Sequence, residues 1–311
     1  MEEVNVLMVP LPAQGHLNPL LHLSRLISSH NIPVHFVSTP AHTRQAKTRI
    51  HGWDPLSISN IHFHEFPVPS YETPPADPYS STRYPTQLIP AFFASIHLRE
   101  PIFSLMKQLS NTTRRLVVIY DSLMAYVIQD IGEIPNAESF VFQSVSAFAA
   151  YFYLREYVGK PEVSESKIFQ TLPERNYPAE FEEYIRIQFE KPISSSGDLF
   201  NSCRAIEGKF LDGVAKMKES SSYKNWAIGP FNPVVINKKE LNSEKRHCCL
   251  DWLDKQPPNS VIFVSFGSTT AVSDEQIREI AIGHKNTEFS VYSLHLSISK
   301  VDQNQGRVRI L

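Results

Sequence analysis

The sequence predicts an α/β fold with a doubly wound parallel sheet, followed by part of a second domain. Short β-branched apolar runs alternate with amphipathic segments, a pattern typical of parallel strands joined by helices. The length of 311 residues suits one large domain and a fragment of another. The sequence contains no apolar run of about 18 residues, the length that a membrane-spanning helix needs. A soluble globular protein is therefore expected.

The first half of the chain carries four runs that we predict to be buried strands: Val4–Val9, Val34–Ser38, Leu116–Tyr120 and Ser139–Phe142. Between the first two, Asn18 and Pro19 are a preferred N-cap residue and a proline suited to the first helical position. They predict a helix from about Pro19 to Ser29. Its buried face is expected to carry Leu20, Leu23, Leu26 and Ile27.

Two polar stretches interrupt the alternation of strands and helices. Residues 68–90 are rich in proline, serine, threonine and tyrosine, and they predict an irregular surface excursion of the kind that often borders a ligand site. Residues 237–245 are strongly charged and precede a predicted strand, 260–266. We therefore place a domain boundary near residue 240.

Composition narrows the class of partner. Lys and Arg number 30 against 32 Asp and Glu, so there is no electrostatic reason to expect nucleic acid or an anionic membrane. The start of the chain is acidic where a secretory signal is basic, which favours a cytoplasmic location. Cys203, Cys248 and Cys249 are predicted to be free thiols, because adjacent cysteines do not bridge without strain and no zinc-ligand spacing is present.

His16 is the first candidate functional residue. It lies where the first predicted strand passes into a helix, and open α/β sheets build their ligand crevices at that edge. The nearby helix N-terminus disfavours a charged imidazolium, so we expect a neutral ring that can accept a proton near pH 7. The alternative, of about equal weight from position alone, is a histidine that only bonds the loop backbone.

Asp121 is the second candidate. It ends the run Leu116–Tyr120, at the carboxyl end of a predicted central strand, and could reach the same crevice as His16. A carboxylate there can orient an imidazole and stabilise its protonated form. The alternative is an N-cap for a helix that begins near Ser122. The two roles are compatible.

A third candidate is the turn after the predicted strand of the second domain, residues 264–270. It contains Gly267, Ser268 and further hydroxyls just before a helix predicted to begin near Asp274. Backbone amides and hydroxyls in such a turn suit phosphate oxygens. The signal is weak by itself, because the spaced glycines of the P-loop and dinucleotide fingerprints are absent.

Two long segments resemble plant family 1 UDP-glycosyltransferases. Residues 10–19, Pro-Leu-Pro-Ala-Gln-Gly-His-Leu-Asn-Pro, look like the acceptor-domain signature of that family, and residues 249–258 leading to 264–268 look like the entry to its second domain. Within the family, the resemblance is to zeatin O-glucosyltransferases and their xylosyl relatives. It covers about residues 4–283 and also rests on 31–36, 59–64, 97–101, 121–125 and 229–233.

The resemblance implies a GT-B fold and a reaction. The residue matching His16 is the catalytic base of the family, and the residue matching Asp121 is its charge-relay partner. Gly267 and Ser268 match the donor-nucleotide turn. The implied reaction is inverting transfer of glucose or xylose from its UDP derivative to the side-chain hydroxyl of zeatin. It implies no metal or other cofactor, and a monomer is expected.

Four residues are candidates for the acceptor pocket because they lie near predicted strand ends or in the helices that follow: Phe93, Phe142, Gln143 and Phe148. The alternative for the phenylalanines is an ordinary place in the core, which is the commoner role of such residues. The identity of the zeatin isomer cannot be predicted from these positions.

The resemblance ends near Gly283, and residues 284–311 match no motif of the family. We accordingly divide the chain into an acceptor-binding domain, 1–240, the start of a donor-binding domain, 241–283, and a tail, 284–311. A donor site that lacks most of its domain loses the positioning that makes transfer effectively unimolecular. Little transferase activity is therefore expected of this truncated chain. The alternatives are a non-catalytic acceptor-binding remnant and a nonfunctional product.

Overall fold

The computed structural model describes residues 2–49, 58–80, 84–157, 177–217, 224–231, 248–266, 269–285 and 290–294. These residues form two compact units. The first comprises the described residues among 1–71, 90–175 and 179–235, and the second those among 72–89, 176–178 and 236–311. The charged stretch 237–245, where the sequence predicts a domain boundary, lies outside the described residues.

The first unit is built on a seven-stranded parallel sheet. Its strands are β1 (Glu2–Val9), β2 (Val34–Ser38), β3 (Ile61–Glu65), β4 (Thr113–Asp121), β5 (Ala137–Gln143), β6 (Gly197–Phe200) and β7 (Lys224–Ala227). Their order across the sheet is β3-β2-β1-β4-β5-β6-β7, and every neighbouring pair is parallel. The predicted α/β class is confirmed, and each of the four predicted strands is present.

Helices connect the strands of this sheet. They are α1 (Gln14–Ser28), α2 (Pro40–Arg49), α3 (Ile89–Ser95), α4 (Arg99–Ser110), α5 (Ala147–Tyr157), α6 (Ala179–Phe189) and α7 (Arg204–Met217). One face of the sheet packs against α1 through a cluster that includes Met8, Leu20, Phe36 and Phe142. Burial of this apolar surface is the main stabilising contribution to the unit.

The start of α1 differs from the prediction. The helix begins at Gln14, so Pro19 lies inside it, and Asn18 is not the N-cap. The side chain of Asn18 accepts a hydrogen bond from Gln14 Nε2 at 2.6 Å. The physical reason is tertiary packing. Leu17 is fully buried one turn before the buried Leu20, and this burial offsets the backbone hydrogen bond that proline removes.

Two further local predictions need correction. Leu26, predicted to lie on the buried face of α1, is 49% exposed, whereas Leu20 and Leu23 are buried as predicted. The excursion predicted as irregular over 68–90 is irregular in its described residues only as far as residue 85. From Thr86 the chain forms a 3-10 helix, Thr86–Leu88, and then α3, because Ile89, Ala91 and Phe92 have buried surfaces to pack.

The second unit contains a small parallel sheet of its own. Strands β8 (Val261–Ser265) and β9 (Ser290–Leu294) pair in parallel. The unit also contains helices α8 (Cys248–Leu253) and α9 (Asp274–Lys285). The strand predicted over 260–266 and the helix predicted to begin near Asp274 are both confirmed. A β-α-β arrangement of this kind is the repeating element of parallel α/β folds.

Candidate active site at the carboxyl edge of the sheet

The candidate site lies where the strand order of the first unit reverses. Strand β1 has β2 on one side and β4 on the other, so successive connections diverge between β1 and β4. In open α/β sheets this is the edge where a crevice forms outside the carboxyl ends of the strands. His16 lies in the first turn of α1, directly after β1, and Asp121 is the last residue of β4.

The structure brings His16 and Asp121 into contact across 105 residues of sequence. His16 Nδ1 lies 2.7 Å from Asp121 Oδ2. The aspartate side chain is fully buried, and the histidine side chain is 24% exposed. A buried carboxylate beside a partly exposed imidazole gives the ring one nitrogen fixed by the protein and one available on its other side.

Asp121 also caps the following 3-10 helix, Ser122–Ile128. Its Oδ1 accepts a hydrogen bond from Leu123 N at 3.0 Å. The two roles weighed from the sequence, N-cap and partner of His16, are therefore combined in one side chain. Each carboxylate oxygen thus has a hydrogen-bond partner of its own.

The electrostatic balance at His16 corrects a sequence-based expectation. Burial lowers the pKa of His16, but the charge of Asp121 and its hydrogen bond raise the pKa by more, and the net direction is upward. Burial likewise raises the pKa of Asp121, while the His16 charge and three hydrogen bonds outweigh it and leave the pKa lowered. The helix N-terminus was expected to favour a neutral ring, but the contact with a buried carboxylate has the larger effect.

Ser144 is a residue of this site that sequence reasoning missed. Its Oγ donates a hydrogen bond to Asp121 Oδ2, the oxygen that also contacts His16. Ser144 directly follows β5, and Asp121 pairs with Phe142 in the register of β4 and β5. The rule that selected His16 and Asp121, a polar residue at the carboxyl end of a strand, could have selected Ser144 as well.

The four predicted acceptor-pocket residues lie in different surroundings. Phe142 is fully buried in the main core cluster and stacks on Phe231 with 6.3 Å between ring centroids. Phe93 makes an edge contact with Tyr184 at 5.7 Å. The other two are partly buried: Gln143 Nε2 donates to Asp198 Oδ1 at 3.2 Å, and Phe148 packs edge-on against Phe210 at 5.0 Å.

The predicted donor turn is only partly visible, since Gly267 and Ser268 lie outside the described residues. The next residue, Thr269, has a carbonyl that accepts a hydrogen bond from Gln87 Nε2 at 2.9 Å.

Within the described part of the chain, no group of three or more His, Cys, Asp or Glu side chains could hold a metal ion. Among the described residues, every helix falls short of the length or the hydropathy that a membrane span requires.

Several solved structures share this fold. UGT89C1 of Arabidopsis thaliana, complexed with UDP-L-rhamnose, matches 94% of this chain with 64% of its own, at a TM-score of 0.64 and 19% identity. UGT71G1 of Medicago truncatula, complexed with UDP-glucose, matches 96% of this chain with 67% of its own, at a TM-score of 0.63 and 18% identity. At this identity the likeness concerns the fold, and it confirms the predicted GT-B class.

Sequence similarity identifies the family. Residues 2–233 match the family described as glycosyltransferase, N-terminal domain, and the chain belongs to it. Zeatin O-glucosyltransferase of Phaseolus lunatus is 46% identical over 283 residues, which are 90% of this chain and 60% of that protein. Cis-zeatin O-glucosyltransferase 2 of Zea mays is 37% identical over 293 residues, 93% of this chain and 62% of that protein. The chain thus spans about three fifths of the length of these relatives.

Proposed function

We propose that this chain provides the acceptor-activating half of a UDP-sugar-dependent glycosyltransferase that acts on the side-chain hydroxyl of a zeatin-type cytokinin. The observation that carries the proposal is the 2.7 Å contact between His16 Nδ1 and Asp121 Oδ2 at the switch point of the sheet. The names of the similar proteins from Phaseolus lunatus and Zea mays support zeatin as acceptor and glucose as the sugar. Zeatin O-xylosyltransferase of Phaseolus vulgaris, 44% identical, supports xylose as the alternative sugar.

In the proposed reaction, His16 is the general base. With Nδ1–H donated to Asp121, Nε2 is the nitrogen that takes the proton from the acceptor hydroxyl. The hydroxyl oxygen forms a bond to the anomeric carbon while the bond from that carbon to the UDP oxygen breaks on the opposite face. The anomeric configuration inverts, and UDP leaves with the bonding electron pair. Asp121 stabilises the imidazolium that forms.

The remaining predicted site residues have supporting roles in this proposal. Gly267 and Ser268 would contact the donor nucleotide. Phe93, Gln143 and Phe148, which are partly buried, would line the acceptor side, and Phe142 would support that wall from the core. The UDP-sugar is a substrate and not a resident cofactor. A monomeric, cytoplasmic protein stays a prediction.

Glucosyl transfer measured by mass spectrometry tests the proposal. Purified 311-residue protein is incubated with trans-zeatin and UDP-glucose or UDP-xylose, beside a His16→Ala variant and a His30→Ala control. His30 is exposed at the end of the α1 region, so its removal should leave transfer unchanged. Zeatin glycoside that forms with the natural chain and the control, and disappears with His16→Ala, supports the proposal.

Three other outcomes would count against parts of it. Zeatin binding without product would leave an acceptor-binding module, in agreement with the low activity expected from the sequence. If the chain neither binds zeatin nor forms product, the proposed acceptor role of this chain is refuted. Product formation at equal rates with and without the His16 imidazole would refute the assignment of the base.

A further inference from the structure

The carboxylate of Asp121 is held from two directions besides His16. Leu123 N donates to Oδ1 at 3.0 Å, and Ser144 Oγ donates to Oδ2. Oδ2 therefore serves two donors, the Ser144 hydroxyl and His16 Nδ1. Because two donors share one oxygen, each of them changes how strongly that oxygen attracts the other.

We propose that Ser144 is a positioning residue for the His16–Asp121 pair, which holds the Asp121 carboxylate in rotation and moderates the basicity of His16. The effect on reaction rate rests on the proposed transferase function, whereas the effect on the imidazole is a property of the folded chain alone. Ser144 touches neither the acceptor nor the sugar in this proposal and acts through Asp121.

The first argument is geometric. A carboxylate bonded through only one oxygen can turn about the bond that joins it to Cβ, and its second oxygen then moves relative to the imidazole. With Leu123 N on Oδ1 and the Ser144 hydroxyl on Oδ2, both oxygens of Asp121 are fixed. The plane of the carboxylate, and with it the direction of the bond to His16, is therefore determined before substrate binds.

The second argument is electrostatic. A hydroxyl that donates to a carboxylate withdraws part of its negative charge and favours the ionised form, so Ser144 contributes to the lowered pKa of Asp121. The same withdrawal weakens the attraction of Oδ2 for a protonated His16. Removal of the hydroxyl should therefore make the His16 imidazole a stronger base.

The position of Ser144 is itself fixed by the fold. On one side the chain leaves β5, where Phe142 and Gln143 pair with β4 and β6. On the other side α5 begins, and its first two amides, Ala147 N and Phe148 N, each donate to the carboxylate of Glu207 at 3.0 Å. Glu207 belongs to α7, so the short segment that carries Ser144 is anchored at both ends.

Among the described residues, Tyr184 is a further titratable group on which the charge of Asp121 acts. Its hydroxyl donates to Leu123 O at 2.7 Å, and the side chain is fully buried. Burial, together with the charge of Asp121, raises the pKa of Tyr184, so the phenol stays neutral throughout the range in which His16 titrates. A change in the titration of His16 between variants therefore reports on Asp121 and its donors.

An NMR titration of the His16 imidazole tests the inference. The resonance is assigned by its loss in His16→Gln, and its pKa is compared in the natural chain, Ser144→Ala and Ser144→Thr. Ser146→Ala is the matched control, because Ser146 Oγ lies in the same segment but accepts from Ala149 N and makes no bond to Asp121. We expect the protonation constant of His16 to rise on the order of fivefold in Ser144→Ala, the effect of one hydrogen bond. Ser144→Thr and Ser146→Ala should match the natural chain.

Several results separate this inference from the proposed function. An unchanged pKa of His16 in Ser144→Ala, or an equal shift in Ser146→Ala, would overturn the inference whatever the enzyme activity. The expected shift in a chain that transfers no sugar would support the inference and count against the proposed function alone. If Ser144→Ala does not fold, Ser144→Cys, a near isostere with a weaker donor, should show a smaller shift in the same direction, and no shift there would overturn it.

Discussion

At the scale of single residues, the site is a balance between burial and charge. Burial alone favours a neutral His16 and a neutral Asp121, yet the pKa of each moves towards the charged form because the two side chains face each other at 2.7 Å. The ion pair is thus favoured at pH values between the lowered pKa of Asp121 and the raised pKa of His16. Its contribution to stability is lost as pH falls through the first value or rises through the second.

The His16–Asp121 pair predicts how the rate of sugar transfer falls at acidic pH. If neutral His16 is the base, transfer should decline as pH falls through its pKa, which lies above the ordinary value of 6.5. The measurement is kcat/KM for zeatin glucosylation between pH 5 and 9, under saturating UDP-glucose. An acid limb centred below 6.5 would contradict the assignment of His16 as the titrating base.

Asp121→Asn should affect both the rate of transfer and the pH at which the acid limb of the rate profile is centred. The amide cannot stabilise an imidazolium, so transfer is expected to fall by about 10⁴-fold, as in the corresponding change in serine-protease triads, and the limb should move to lower pH. Asp212→Asn is the control, because Asp212 is exposed and pairs only at the surface with Arg204. A rate within threefold of the control, as a rough limit, would exclude a relay role.

At the scale of elements, the first turn of α5 is capped twice, by Ser146 Oγ, which accepts from Ala149 N, and by Glu207 of α7. Glu207 accepts from two amides of the first turn, and a small core of Ala147, Phe200, Leu211 and Val214 packs beneath it. Gly213 allows the close approach of the two helices, since a Cβ there would lie 2.4 Å from the Tyr151 ring. The segment that carries Ser144 thus depends on a helix 60 residues further along the chain.

Glu207→Ala should therefore destabilise the first unit. Two backbone amides lose a charged acceptor at a helix N-terminus, which is expected to lower the free energy of unfolding by about 1–3 kcal/mol. Urea denaturation followed by circular dichroism measures the change. Glu183→Ala is the matched control: Glu183 forms an exposed i,i+3 pair with Arg186, and its loss should leave the free energy of unfolding nearly unchanged.

Strands β2 and β3 carry a second pH-sensitive feature, a cluster of three histidines. His35 Nδ1 lies 2.8 Å from His64 Nε2, and the His35 ring stacks on His62 at 5.0 Å. Burial, followed by the proximity of His64 and His62, lowers the pKa of His35 to about 4. Because β3 is an edge strand, only the pairing with β2 holds it in the sheet.

The cluster predicts acid instability. A folded-state pKa below the unfolded value of 6.5 means that the contribution to stability is complete above pH 6.5 and is lost as pH falls towards 4. The free energy of unfolding should decrease over that range, by less than the full shift implies because the partly exposed rings are screened by solvent. His35→Gln should show a smaller decrease between pH 7.5 and 4.5, whereas His30→Gln, at an exposed position, should behave like the natural chain. Equal decreases in all three would exclude the cluster as the cause.

At the scale of the whole molecule, apolar side chains divide into a buried core and an exposed set that includes residues of both units. The first unit contains the main core, including the fully buried Leu7, Phe36 and Phe200. In the second unit, Phe263 of β8 is 66% exposed and Ile282 of α9 is 50% exposed. Exposed apolar groups of this size favour association between molecules.

Phe263→Ser should consequently reduce self-association without loss of stability. An exposed side chain contributes little to folding, so the free energy of unfolding should change by less than about 0.5 kcal/mol, while light scattering at elevated temperature should fall. Phe200→Ser provides the contrast, since removal of a fully buried ring should cost roughly 3–5 kcal/mol. Unchanged scattering in Phe263→Ser would show that this surface does not drive association.

Local pattern alone predicted four of the seven strands of the main sheet and the positions of His16 and Asp121 at its edge, whereas the short strands β3, β6 and β7 were not predicted. Strand runs are visible because buried parallel strands are apolar throughout, and His16 and Asp121 are visible because each follows such a run directly. These are local patterns, and local patterns can be read without coordinates. The family resemblance could be recognised for the same reason, because contiguous motifs carry it, and the family match over residues 2–233 confirms it.

Packing in three dimensions set the start of α1, the exposure of Leu26, the direction of the His16 pKa, and the hydrogen bonds of Ser144 and Glu207. Each depends on a distance between residues that are remote in sequence: 105 positions separate His16 from Asp121, and 60 separate Ala147 from Glu207. Charge and hydrogen-bond effects depend on that distance and on burial. A linear pattern contains neither quantity, which is why the strand ends could be predicted and the balance at His16 could not.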